Sequence, residues 1–403
     1  MNLRQFINNL TSTNSAPTDS LYTFRFFMVC IGSFLFFVSF NMLIPELPSY
    51  LSKMGGESYK GFIIALFTVT AGLSRPFTGK LTDTIGRVPI MVTGTVFCMV
   101  CSSLYPFAEV VLGFLMLRLL HGFSTGFTPT GTTAYLADIS APHKRGEALS
   151  IQSFFSHLGM AVAPFSGSWI AQTYSLPALF GVSAVIAFIA FLMLGSMPET
   201  LHNKQRFTWK MLRISKTDLF EPHVLQPAVI TLLTLYAFGV ILTLIPDFSV
   251  SLGIANKGIF YVYYTLASLL SRLFGGRVSD IYGRKVVVKI GIIGMIVGLC
   301  VIAYANKPAT LFLGAVVYGL GSGLNTPALF AWAIDRSSHL YRGRALATIY
   351  IFLETGIGSG AFLAGWLLNQ THQFAPAFIS AAFASVLALF IAFVPEKSSF
   401  NSI

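Results

Sequence analysis

Asp83 and Arg87 are placed to form charge-assisted bonds with a neighbouring acid such as Asp138, and a second set of the same types follows as Asp280, Arg284 and Asp335. Arg118 and His121 are three residues apart in an apolar run. On a helix they share a face, and the guanidinium disfavours the imidazolium beside it. His121 is therefore either a proton-sensitive group or a neutral histidine bonded to a neighbouring helix. His157 and Glu354 each sit well inside a long apolar run, His157 about 15 Å along its helix. An ionised, unpaired carboxylate at that depth in hydrocarbon costs several kcal/mol, so Glu354 is suited to hold a proton reversibly whenever water reaches it. His157 and Glu354 together are the candidate site for proton coupling or substrate charge. Alternatively, each is satisfied by a hydrogen bond within or between helices. Glu46 and Asp247, each next to a proline at the end of an apolar run, either line an external mouth or are solvated helix ends.

These groups need an unusual scaffold. Of 403 residues, 54% are hydrophobic and 10% charged, with 38 phenylalanines, whereas soluble domains carry about 25% charged residues. That composition excludes an ordinary soluble enzyme, a disordered chain and a disulfide-stapled scaffold. Twelve apolar runs are long enough to cross a bilayer, at 22–44, 61–78, 88–107, 110–136, 148–170, 177–197, 227–249, 258–274, 286–304, 310–333, 345–368 and 376–394. The expected organisation is a cytoplasmic tail over 1–21, a six-helix bundle over 22–197, a cytoplasmic linker over 198–226, a second bundle over 227–394 and a tail over 395–403. The first residues lack the apolar core of a cleaved signal, so the first span is read as retained.

The net charge of +11 has the same explanation. With both termini cytoplasmic, 19 of the 26 lysines and arginines fall on the cytoplasmic side, four (Lys53, Lys60, Lys257 and Lys307) on the other, and Arg75, Arg118 and Arg272 within spans. This is the positive-inside pattern, so the basic character calls for no nucleic acid.

The two halves are copies. Ser74-Arg75, Gly79, Asp83, Gly86 and Arg87 recur at an offset of 197 as Ser271-Arg272, Gly276, Asp280, Gly283 and Arg284. The same offset relates Gly122, Gly126, Asp138, Gly159 and Trp169 to Gly319, Gly323, Asp335, Gly356 and Trp366, and His157 to Glu354. Parallel repeats of this kind place a binding site near the bilayer midplane.

The segment from Gly79 to Arg87, repeated from Gly276 to Lys285, closely resembles the signature loop of the major facilitator superfamily of secondary transporters, and the resemblance extends from about residue 22 to 394. It implies an all-α membrane fold of twelve helices in two parallel-repeat six-helix bundles. It further implies that Gly79, Asp83, Gly86, Arg87 and Asp138, with Gly276, Asp280, Gly283, Arg284 and Asp335, latch a cytoplasmic gate. The glycines are expected to permit a tight turn. Arg118, Gly122 and Gly126 resemble the motif of proton-coupled members, with His121 where the family has Gln. Gly159 to Gly167, containing Pro164, resembles the exporter motif of helix 5, with Ala163 and Ser168 where the family has glycine. Small residues there are expected to let helix 5 pack closely on helix 8.

Other patterns carry less. Cys98 and Cys101 form a C-x-x-C inside a span and read as apolar packing, and no phosphate-binding lysine motif or nucleophile elbow is present. The sequence reading is therefore a monomeric, non-enzymatic, proton-coupled exporter of small organic molecules, drug-like or amphipathic. It sits in a bilayer, expected to be the bacterial cytoplasmic membrane, with protons and substrate as partners and no metal or cofactor. An uptake symporter or facilitator for a sugar, organic acid or metallophore, and a membrane sensor, are the alternatives.

Overall fold

The computed structural model describes residues 22–141, 144–201, 203–212, 221–337 and 342–395. The tail over 1–21 and nearly all of the tail beyond 394 lie outside the described residues, as do Arg213 and Lys216 of the linker. Twelve long helices occur among the described residues: α1 (Phe24–Asn41), α2 (Lys60–Thr84), α3 (Arg87–Leu104), α4 (Val111–Ile139), α5 (Arg145–Thr173), α6 (Leu176–Gly195), α7 (Leu225–Ser251), α8 (Ile259–Tyr282), α9 (Arg284–Ala303), α10 (Pro308–Arg336), α11 (Arg342–Thr371) and α12 (Ala375–Phe393). Nine are apolar enough by length and composition to cross a membrane, while α5, α8 and α10 are not among those nine.

Local chemistry sets the helix ends. Thr23 accepts the Phe26 N–H at 3.2 Å to cap α1, and Ser175 accepts the Ala178 N–H at 3.2 Å to cap α6 ahead of Pro177. The first apolar run extends to residue 44, but α1 stops at Asn41. A turn carrying Pro45 intervenes, and a short helix, Leu47–Lys53, follows.

The described residues divide into two compact units, one within 22–57, 66–212 and 256–258, the other within 58–65, 221–255 and 259–395. In the first, α1 runs along α5 and α6, while α3 runs along α4 and α6. Phe26 and Val29 of α1, Met91 of α3, Tyr135 of α4 and Leu194 of α6 share one buried cluster. In the second, α7 lies along α11 and α12, and α10 along α8 and α9. Tyr236, Leu244 and Phe248 of α7 meet Leu299, Tyr318 and Phe378 in its largest cluster.

In lipid, an apolar side chain gains little by exchanging hydrocarbon for protein, so close backbone approach decides which helices pair. The glycines do this work in both units. A Cβ on Gly122 would stand 2.0 Å from the Phe67 carbonyl oxygen, and one on Gly126 would meet Ser74, so α4 presses its backbone on α2. The equivalent Gly319 and Gly323 press α10 on Tyr264, Ser268 and Ser271 of α8.

Candidate functional site

The two Asp/Arg sets close as the spacing expects. Arg87 meets Asp83 at 3.2 Å through Nη1 and donates from Nε to Asp138 Oδ2 at 2.9 Å. Its Nη1 also donates to the Thr82 carbonyl at 2.5 Å. Arg284 repeats this with Asp280 at 2.5 Å, Asp335 at 3.0 Å and the Ser279 hydroxyl at 3.1 Å. Each arginine thus ties the end of α2 or α8 to the end of α4 or α10. The glycines differ from expectation. Gly79 and Gly276 lie within α2 and α8, not in a turn. Only Gly86 and Gly283 serve the turn, with φ of 128° and 90°, conformations that residues with a Cβ rarely adopt.

A residue that sequence reasoning overlooked joins the first set. Glu199, just beyond α6, accepts the backbone N–H groups of Arg87 and Val88, each at 3.0 Å, and so caps the start of α3. Thr200 donates to Asp138 Oδ2 at 2.6 Å. The available signal was Pro198-Glu199, which recurs at the same offset as Pro395-Glu396, although Glu396 is outside the described residues. Gly86→Ala places a Cβ 2.3 Å from the Glu199 carboxylate, whereas Gly283→Ala meets nothing within 4 Å among the described residues. Both substitutions strain φ, by about 1–3 kcal/mol. Gly86→Ala should therefore lower the thermal midpoint more than Gly283→Ala does, and an equal or reversed order would contradict the capping role of Glu199.

Arg118 and His121 are brought together through a third group. Both are fully buried, and Arg118 Nη1 donates to the Tyr105 hydroxyl at 3.2 Å while its guanidinium lies 4.6 Å from the Phe67 ring centre. The Tyr105 hydroxyl, accepting from the arginine, also lies 3.1 Å from His121 Nδ1. The other ring nitrogen, Nε2, faces Cys98 Sγ at 3.3 Å. Cys98 in turn lies 3.0 Å from the Ser39 hydroxyl. Cys98 packs in a buried apolar cluster with Phe36, Phe40 and Phe67, as its sequence context suggested, and also joins a buried polar chain across α1, α3 and α4. It and Cys101 are both free thiols.

His157 and Glu354 fall in different units, each twelve positions after the first residue of its helix, about 18 Å along α5 and α11 respectively. His157 is half-buried and donates from Nδ1 to the Ser153 carbonyl at 2.7 Å, and Glu354 is 7% exposed. The small residues of α5 also differ from expectation: Gly159 and Gly167 face the α1 backbone at Phe34 and Met42, and it is Pro164 that meets Gly258, just ahead of α8. Glu46 and Asp247 are not solvated helix ends, since each holds a lysine, Lys257 at 2.7 Å and Lys60 at 2.6 Å.

Long, largely apolar helices in two sequence-related sets, with ion pairs at helix ends and titratable groups buried along them, define an integral membrane transporter. The Major Facilitator Superfamily profile matches residues 29–263 and again 227–402, so the chain belongs to that superfamily, whose members are transporters and not enzymes. It is similar to the multidrug resistance protein MdtG of Dickeya zeae, at 23% identity over 96% of this chain and 98% of that one. It is similar also to the quinolone resistance protein NorA of Staphylococcus aureus, at 23% identity over 88% and 92%. The crystal structure of a D-xylose-proton symporter shares the fold, with a TM-score of 0.75 at 17% identity over 92% of this chain and 97% of that one.

Proposed function

We propose that this protein is a proton-coupled exporter of small, drug-like or amphipathic organic molecules that works by alternating access. The observation that carries the reading is the similarity, over nearly the full length of both chains, to two proteins named for resistance to drugs. The burial of a carboxylate, Glu354, within a long apolar helix supports the coupling. In this reading the segments 22–197 and 227–394 are the moving halves, joined by 198–226, with both termini in the cytoplasm of a bacterium and the protein monomeric in its inner membrane. Protonation of Glu354 and binding of substrate compete, and Arg118, His121 and His157 are the further residues assigned to proton coupling or substrate charge. The Asp83, Arg87, Asp138 set and its copy Asp280, Arg284, Asp335 bias which face is open.

Flux in liposomes of known protein orientation tests this. With a fluorescent lipophilic cation as probe, an inside-acid gradient in vesicles whose protein has its cytoplasmic face outward is expected to drive dye accumulation, and dissipating the gradient with an ionophore to abolish it. Accumulation only when the external medium is the acid side would instead indicate an uptake symporter. Stoichiometric binding without flux would indicate a sensor.

A further inference from the structure

Two dipeptides remain without a role. Lys60-Gly61 and Lys257-Gly258 stand at the 197-residue offset, at the starts of α2 and α8. In the first compact unit, Lys257 Nζ donates to Glu46 Oε2 and to the Ser49 hydroxyl, both at 2.7 Å, and the Ser168 hydroxyl of α5 donates to Glu46 Oε1 at 2.8 Å. Gly258 lies so close to the Pro164–Phe165 peptide that a Cβ would stand 2.1 Å from the Pro164 carbonyl oxygen, and the Asn256 amide donates to the Phe165 carbonyl at 3.2 Å.

In the second unit, Lys60 Nζ donates to Asp247 Oδ2 at 2.6 Å. A Cβ on Gly61 would stand 2.8 and 3.0 Å from the carbonyl oxygens of Ala361 and Phe362. Adding 197 to 164 and 165 gives 361 and 362, so the glycine of each dipeptide seats on the equivalent peptide of α5 or α11. The same device is built twice. In each copy a short segment of one sequence repeat is incorporated in the compact unit formed mainly by the other repeat, residues 256–258 in one case and 58–65 in the other.

The four charged side chains are 19%, 18%, 11% and 8% exposed. At that burial, removing a lysine leaves its carboxylate desolvated and unpaired, a larger loss than at an open surface. Lys60 and Asp83 also stand at opposite ends of α2, about 35 Å apart, as the Lys257 and Asp280 positions do for α8.

We propose that the two Lys-Gly straps are a double latch at the ends of α2 and α8 remote from the Asp/Arg sets, and that both ion pairs must break once in every transport cycle. The proposal rests on the alternating-access reading. It assigns Lys60, Lys257, Glu46 and Asp247 a role in setting which face is open, distinct from binding substrate or proton.

Spin labels at Tyr174→Cys and Tyr304→Cys test the latch. Both positions are exposed at the ends of α5 and α9, and only the exposed Cys300 need be replaced first, because the other cysteines are buried. Dipolar spectroscopy on the unmodified-latch protein in liposomes is expected to give two distances. Lys60→Gln together with Lys257→Gln should raise the ratio of the longer to the shorter population by about tenfold or more for each pair broken. Reversing a pair, Glu46→Lys with Lys257→Glu, should return the ratio toward the starting value, which a merely misfolded double variant would not allow. Two distances whose ratio is unmoved by the double glutamine variant would overturn the latch and leave alternating access standing. A single distance, unmoved by these variants, by Arg87→Gln or by pH, would overturn both.

Discussion

Glu354→Gln is expected to reduce proton-gradient-driven accumulation of substrate by about 100-fold or more, the usual scale for loss of a group that must carry a proton. The substitution keeps the size of the side chain and its capacity to hydrogen-bond, so the buried site on α11 stays filled and α11 keeps its contacts with α7 through Gly356 and Gly360. What is lost is the alternation between charged and neutral forms. Exchange of labelled for unlabelled substrate without net flux should fall as well, because glutamine holds permanently the neutral form that competes with substrate. Glu354→Asp should retain part of the driven flux. If driven accumulation in Glu354→Gln vesicles stayed within about twofold of the parent, the coupling group would have to be sought elsewhere, and His157 would be the next residue to replace.

Gly122→Val is expected to have the largest effect on stability. Its side chain would be forced into the Phe67 carbonyl and the Thr70 hydroxyl, with the first added carbon only 2.0 and 2.1 Å from them. The obstacle is mainly backbone, so no rotamer change relieves it and α2 must move off α4. Overpacking of this kind costs about 3 kcal/mol or more. Separating α2 from α4 also breaks the bond from the Thr70 hydroxyl to the Leu119 carbonyl, now 2.5 Å. Gly319→Val should behave alike, since a Cβ there stands 2.4 Å from the Tyr264 carbonyl, while Gly181→Val on α6 meets nothing within 4 Å among the described residues and should change stability by no more than about 0.5 kcal/mol. Thermal midpoints of the three variants in detergent are the measurement. Equal midpoints would mean that the glycines of the Arg118 motif serve something other than helix approach.

Much of this protein was legible in one dimension. Apolar runs of spanning length, the bias of lysine and arginine between loops and the register that carries Asp83, Arg87 and Asp138 onto Asp280, Arg284 and Asp335 are properties of spacing, and they led to the fold and to the family. Asp83 and Arg87 are four residues apart, so their pairing across the helix-to-helix turn could be anticipated. The tertiary structure decided what spacing cannot express. It placed Tyr105 between Arg118 and His121, put Glu199 on the first turn of α3, and seated Gly159 and Gly167 on α1.

The partners of Glu46 and Asp247 lie 211 and 187 residues away, each in the opposite repeat. A repeat register shows that Lys60 and Lys257 occupy equivalent positions, but equivalence is not contact. Each lysine pairs with an acid of the other repeat, and the two acids are four places out of register with one another. The sequence by itself determined which residues are membrane-embedded, which are duplicated and which ends carry charge, because hydrophobic length and periodic position are local. Which charges meet depended on how the chain folds back on itself, because an ion pair between distant segments is set by distance in space and by the burial that makes that distance count.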